Sequence, residues 1–289
     1  MNREAHIGID LGGTNIRGAI VCGNELSNII SRRINAQGSQ DDVLREVYQL
    51  IDDLIQPSVI SIGIGVPGLV DEKEGLVYDV MNIPSWKELP LQQWIQTRYN
   101  LPVFLNNDAN CFALGEFYFG KGLGHNSMVG LTIGTGLGAG IILNKKLHTG
   151  RSGAAGEFGL ISYLDHCIEY YASGQFFKNV YGLDGEAVFA AAKAGDEKFI
   201  ALYGELGHHL GNAIKTILYA LDTDLIVLGG SVRHAYKWFE KKMWEQVYTT
   251  VFQRSAKNLR IEISELPNSA LLGAAALYYD AQESNQSHF

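Results

Sequence analysis

In HIGIDLGGTNIRGAIV (His6–Val21) apolar residues alternate on both sides of a Gly-Gly pair. That period of two suits half-buried strands, so the segment reads as two strands joined by a tight turn. The period then changes: Val43, Leu44, Val47, Leu50, Ile51, Leu54 and Ile55 recur at helical spacing within Asp41–Gln56. Its leading aspartates suit a helix start, and Pro57 closes it. SVISIGIGVPG predicts a buried strand ending in a Pro-Gly turn, and LPVFLNNDAN a strand that runs into polar residues. A second strand-turn-strand follows in MVGLTIGTGLGAGIIL, then the glycine-punctuated HTGRSGAAGEFG. Beyond it come a long helix over Phe199–Leu221, the strand DLIVLGG, a helix over Ala235–Phe252, the strand LRIEI and a last helix over Ala270–Tyr279. The polar tail AQESNQSHF is expected to fray.

Strands alternating with helices indicate an α/β class with several parallel strands. No Ser-, Pro- or Gly-rich linker interrupts the chain, so a domain boundary must cross structured elements. It is expected near Asn110–Gly120, dividing a smaller domain, 1–115, from a larger one, 116–289, with the helix at 270–280 free to pack back on the first.

The two strand-turn-strand segments are related. Laying GIDLGGTNIRGAIV over GLTIGTGLGAGIIL brings Gly8 onto Gly130, Gly12 onto Gly134 and Gly18 onto Gly140, at a constant offset of 122 residues. Apolar positions coincide as well: Ile9 with Leu131, Leu11 with Ile133, Ile20 with Ile142. Duplication explains this better than chance. Glycines let a backbone approach a phosphate and aim N–H groups at it, and each turn adds a hydroxyl, Thr14 or Thr135. Two such hairpins could clamp one nucleotide. Neither is a Walker A loop, and Gly134-x-Gly136-x-Gly138 leads into a strand where a Rossmann fold requires a helix.

Composition narrows the options. A 46% hydrophobic content in 289 residues supports a sizeable core, and the net charge of −8 disfavours nucleic acid as a partner. No apolar run approaches the ~20 residues of a membrane span, and the first residues lack a secretory pattern, so a cytoplasmic protein with no membrane partner is expected. Cys22, Cys111 and Cys167 lie far apart and form neither a disulfide framework nor a zinc pattern by spacing.

Asp108, in NNDAN at a strand end, is a candidate general base, ionised at neutral pH; the same position suits a helix N-cap. The segments IDLGGTNIRGAI, VPGLVD, NNDANCFALGE, TIGTGLGAGII, GRSGAAGEFG, CIEYYASG, DLIVLGGSV and ALLGAAAL, in order over nearly the whole chain, resemble the ROK family of sugar kinases and sugar-responsive repressors. The resemblance implies a two-domain actin-like ATPase (ribonuclease H-like) fold with sugar and ATP in a cleft between the domains. It implies ATP-dependent, glucokinase-like phosphorylation of a hexose, at the 6-hydroxyl, with Asp108 as catalytic base. Asn107, Gly68, Glu157 and Glu169 would contact the sugar. Asp10 would lie near Mg²⁺, Gly12, Gly13 and Thr14 would form the first phosphate turn, Thr135 and Gly136 the second, and Gly229 and Gly230 would pass near the adenosine. A homodimer is common in the family.

The chain departs from the family in one module. Many members carry His where Leu160 stands, followed by a cysteine-rich loop that binds structural zinc; only Cys167 remains here, so no zinc site is expected. Leu160 would also remove a polar partner near the sugar's C1 and C2 hydroxyls and alter substrate choice. Rival readings are a sugar-responsive transcriptional regulator, a non-catalytic sugar sensor, and an actin-like ATPase without a sugar substrate. A regulator would need a DNA-binding domain before His6, where five residues leave no room for one.

Overall fold

The computed structural model describes residues 4–78, 80 and 82–286. In chain order the elements are β1 (Ala5–Leu11), β2 (Asn15–Cys22), β3 (Glu25–Arg33), α1 (Gln40–Leu54), β4 (Val59–Val66), β5 (Leu69–Asp71), β6 (Leu76–Tyr78), β7 (Glu88–Leu89), α2 (Leu91–Tyr99), β8 (Val103–Asn107) and α3 (Asp108–Phe119). There follow β9 (Met128–Ile133), β10 (Leu137–Leu143), β11 (Lys146–Leu147), β12 (Ser162–Tyr163), β13 (His166–Cys167), α4 (Ile168–Ala172), α5 (Phe176–Tyr181), α6 (Gly185–Lys193) and α7 (Glu197–Leu221). The last are β14 (Leu225–Gly229), α8 (Tyr236–Val247), α9 (Gln253–Asn258), β15 (Arg260–Ile263) and α10 (Ser269–Gln286). Among the described residues no helix is long and apolar enough to cross a membrane.

Two compact units emerge. The first holds the described residues up to Asn126, Gly140–Ala155 and those from Glu265 on; the second holds Ser127–Ala139 and Gly156–Ser264. This differs from the single crossing expected at 115/116. The first unit reclaims residues at 140–155 and its C-terminal helix, because α10 completes that unit's layers.

The first unit is built on a sheet of order β3-β2-β1-β4-β8, antiparallel through its hairpins and parallel from β1 to β8. Ser39 caps α1 by accepting the Asp42 N–H at 3.2 Å, while the Asp42 carboxylate accepts the Ser39 N–H at 3.1 Å. The helix buries Val43, Val47, Leu50, Ile51 and Leu54. Leu50 and Leu54 fill the space beside Gly18, where a Cβ would come within 2.7 Å of Leu54 Cδ1. Gly8 and Gly63 are register partners, and side-chain alternation puts them on the opposite sheet face. There α10 approaches so closely that a Cβ on Gly8 would stand 2.1 Å from the Leu271 carbonyl oxygen, and one on Gly63 1.8 Å from that of Ala274. The α10–α3 contact is as tight, since a Cβ on Gly273 would stand 1.6 Å from the Cys111 carbonyl oxygen.

The second sheet has the order β11-β10-β9-β14-β15, with β14 parallel to β9 and β15. Its plan is that of the first: a hairpin joined to parallel strands, as duplication requires. The starts of β1 and β2 fall close to the repeat offset from those of β9 and β10. In the second unit, Gly207 and Gly211 of α7 lie against the Phe239 and Met243 carbonyls of α8.

Three segments differ from the sequence pattern. The strand β3 is an edge strand whose exposed residues give no periodic signal. The helix expected over Ala235–Phe252 stops at Val247 as α8, and a separate short helix, α9, begins only at Gln253. The tail expected to fray continues α10 to Gln286, and only residues 287–289 of it lie outside the described residues. Because the α3–α10 approach has no room for a side chain, Gly273→Ala is expected to cost at least ~1–3 kcal/mol. Differential scanning calorimetry should show a fall in Tm of several degrees.

Candidate functional site

In the first unit the site grows from the β8–α3 junction. Asn107, in extended conformation at φ −63° and ψ 149°, is the N-cap of α3, and its side-chain oxygen accepts the Ala109 N–H at 2.9 Å. Asp108 is therefore the first helical residue and not the cap. Its carboxylate also accepts the Ala109 N–H, at 2.8 Å, and is solvent-exposed where the helix dipole favours negative charge. Asn107 Nδ2 donates to the Gly68 carbonyl oxygen at 3.2 Å, so two residues expected at the sugar are joined directly.

Strand register brings Asp10 to the same place. Asp10 on β1 is paired with Gly65 on β4, and Gly65 with Asn106 on β8. A Cβ on Gly65 would approach Cys111 Sγ at 3.1 Å and the Asp108 Cα at 3.7 Å, so glycine lets α3 start close to the sheet. The thiol of Cys111, fully buried behind this row, is pushed well up by burial and then by the charges of Asp108, Asp10 and Glu72. Burial also raises the Asp10 carboxyl, which Arg17 partly offsets. In the Gly12-Gly13-Thr14 turn, the Gly12 N–H donates to the Asn15 carbonyl at 2.8 Å and Thr14 is exposed. A Cβ on Gly13 would meet Asn82 Cβ at 2.3 Å.

Motif reading missed the support behind Asp108. Buried Asn106 accepts from the Asn107 N–H and from Asn110 Nδ2, each at 2.8 Å, and donates to Glu72. Burial, then Asp280, pushes the Glu72 carboxyl up. The run of polar residues in NNDAN at the end of an apolar strand was the available signal for Asn106 and Asn110; Glu72 had none.

In the second unit a cavity of about 860 Å³ begins at Gly134 and Thr135. Its walls include Gly174, Gln175, Phe177, Lys178, Asp184, Glu186, Phe189, Tyr203, Ser231, Val232 and His234. This is the size of a small-molecule pocket. Of the nucleotide residues expected here, Thr135 lines the cavity, while Gly136, Gly229 and Gly230 do not. Gly230 acts through the chain: at φ +76°, with a Cβ position 2.2 Å from the Ile133 carbonyl oxygen, it directs Ser231 and Val232 into the wall. The aromatic wall escaped sequence reading because Phe177, Phe189 and Tyr203 stand on three separate helices, α5, α6 and α7, and no motif joins them.

Glu157 precedes a short 3₁₀ turn, Phe158–Leu160, and Glu169 lies in the first turn of α4. The two are neighbours: burial, then the Glu169 charge, raises the Glu157 carboxyl. Glu169 Oε2 accepts the Leu137 N–H at 2.8 Å, placing it on the second glycine turn. Leu160 is 66% exposed. Among the described residues no group of three or more His, Cys, Asp or Glu side chains could hold a metal ion between them. Asp10, a partly buried hard oxygen donor, fits a Mg²⁺ that takes its other ligands from phosphates and water.

A sequence model described as the ROK family matches residues 6–281. The chain belongs to the ROK family. This ROK chain is 28% identical to the glucokinase of Thermotoga maritima over 94% of its own length and 96% of that protein's. It is 28% identical to the xylose repressor of Caldicellulosiruptor bescii over 94% of its length and 77% of the repressor's. Its fold matches the ROK family glucokinase from Streptomyces griseus in complex with glucose and AMPPNP at a TM-score of 0.79 and 26% identity, covering 94% of this chain and 98% of that one. The fold is thus the two-domain α/β fold of ROK sugar kinases, of the actin-like ATPase type.

The raised Asp10 carboxyl has a stability consequence. A carboxyl whose folded-state pKa lies above the unfolded value favours folding while protonated, and that contribution is lost as pH rises through the folded value. Asp10→Asn should therefore melt above wild type at neutral pH, and the gap should close as pH falls toward ~4, the ordinary aspartate range. Thermal unfolding across that range checks both signs.

Proposed function

We propose that this ROK chain is an ATP-dependent sugar kinase that phosphorylates a hexose at its 6-hydroxyl. The observation that carries the reading is Asp108: an exposed carboxylate at the start of α3, with Asn107 tied to Gly68 beside it and Asp10 in register across the sheet. Named relatives support it, since glucokinases match over nearly the full chain.

In this reading the hexose hydroxyl donates its proton to the Asp108 carboxylate as its oxygen bonds to the γ-phosphorus of ATP, and the bond from that phosphorus to the ADP oxygen breaks. Asn107 keeps a free N–H and a free lone pair after its bonds to Gly68 and Ala109, so it can still meet a sugar hydroxyl. Gly68 shapes the backbone beside it, and Glu157 and Glu169 accept from ring hydroxyls. The turns at Gly12-Gly13-Thr14 and Thr135-Gly136 face phosphate oxygens. The cavity beyond Thr135 takes the nucleoside, with Gly229 and Gly230 leading the chain to Ser231 and Val232 in its wall. Asp10 would hold Mg²⁺, which neutralises phosphate charge when bound.

Purified protein with MgATP and a panel of hexoses should form ADP only when a sugar is present. Asp108→Asn should lower kcat by ~10²-fold or more with sugar affinity little changed. A variant that keeps its kcat removes Asp108 from the base role, and a wild type that forms no ADP with any sugar removes the kinase reading.

A further inference from the structure

The second glycine turn is held largely from one short helix. Beyond the C-terminal end of α4, the Gly174 N–H donates to the Gly134 carbonyl oxygen at 2.7 Å, and Ser173 Oγ donates to that of Thr135 at 3.0 Å. From its first turn, Glu169 Oε2 accepts the Leu137 N–H at 2.8 Å. So α4 grips the turn on both sides of Gly136, and the fit leaves no slack: a Cβ on Gly136 would stand 2.5 Å from Glu169 Oε2. The helix is itself anchored, with Ile168, Ala172 and Ser173 buried. Its far end runs into the cavity wall, since Gly174 and Gln175 line the pocket that starts at Gly134. Its near end meets the Glu157 segment, because a Cβ on Gly159 would stand 2.6 Å from the Leu137 carbonyl oxygen and 3.4 Å from Glu169 Cβ.

We propose that Glu169 is a positioning residue of the second glycine turn, and that α4 thereby couples occupation of the sugar site to nucleotide binding. The coupling rests on the reading that Glu169 also accepts from a sugar. A carboxylate has about four lone-pair sites, so Oε1 can take a sugar hydroxyl while Oε2 keeps the Leu137 N–H. A sugar that fixes the Glu169 side chain also fixes the turn, and the nucleotide then binds a turn that is already ordered. Ligands that each order the same element bind with positive cooperativity. Ser173 serves the same turn from the other end of the helix without facing the sugar.

Two measurements made without sugar isolate the positioning role from sugar contact. In ligand-free protein, Glu169→Ala should speed hydrogen exchange of the Leu137 amide by about tenfold, while Glu169→Gln, which keeps an acceptor oxygen, should leave it within about threefold of wild type. Titration with MgAMPPNP should show Glu169→Ala weakened by about fivefold or more, Ser173→Ala weakened in the same direction, and Glu169→Gln within about twofold of wild type. Adding the sugar that is turned over should tighten MgAMPPNP binding to wild type and leave Glu169→Ala unmoved. Exchange and sugar-free affinity unchanged in Glu169→Ala would confine Glu169 to the sugar and overturn the proposal. Tighter nucleotide binding in Glu169→Gln would also overturn it, because charge and not turn geometry would then be what Glu169 contributes. Loss of the kinase reading is seen separately, as an absence of sugar-dependent ADP formation while the exchange effect persists.

Discussion

Main-chain atoms of α10 lie directly against β1, β4 and α3, with glycine wherever the approach is closest: Gly8 and Gly63 in the strands, Gly115 in α3 and Gly273 in the helix itself. No side chain separates these backbones, so dispersion contacts and close packing hold them, and a single added methyl has nowhere to go. The small residues around Gly273, Ala274, Ala275 and Ala276, extend that close fit along the helix. The geometry of the candidate site in this unit follows from it. With α10 seated, α3 is pressed toward the sheet at Gly65, and its first turn lies in line with Asp10 and Asn106.

The charges of the first unit are arranged around this frame. Asp108 is exposed at a helix start that favours its ionised form, whereas Asp10 and Glu72 sit where burial opposes ionisation. Under the proposed function, that exposed carboxylate is the one that takes the proton. Glu72 orients the Asn106 amide that in turn holds the Asn107 N–H. In the second unit the same economy appears around α4, where Glu169 serves the glycine turn and the chain that leaves the helix at Gly174 and Gln175 enters the cavity wall.

Much of this was legible in the chain. The glycine repeat announced two related hairpins, and both sheets carry them. Asp108 was visible through NNDAN, although its capping role passed to Asn107, a distinction of one residue that only backbone angles decide. The division of the chain was legible only in part. The sequence left the last helix free to pack back on the first unit, where it lies, but the return of Gly140–Ala155 to that unit had no signal in the pattern. The cavity walls were hidden because Phe177, Phe189 and Tyr203 come together only when α5, α6 and α7 pack. Glu72 reaches Asn106 across 34 positions, with no motif to join them.

Cys111 gives the first unit an internal reporter. Its thiol is fully buried under α10 and against Gly65, and its proton is held by low polarity and by three nearby carboxylates. Thiol chemistry proceeds through the thiolate, so in the closed protein this sulfur is inert, while Cys22 and Cys167 are partly open to solvent. Any alkylation of Cys111 must therefore wait for α3 and α10 to part, and its slow labelling would time the opening of the layer that carries Asp108.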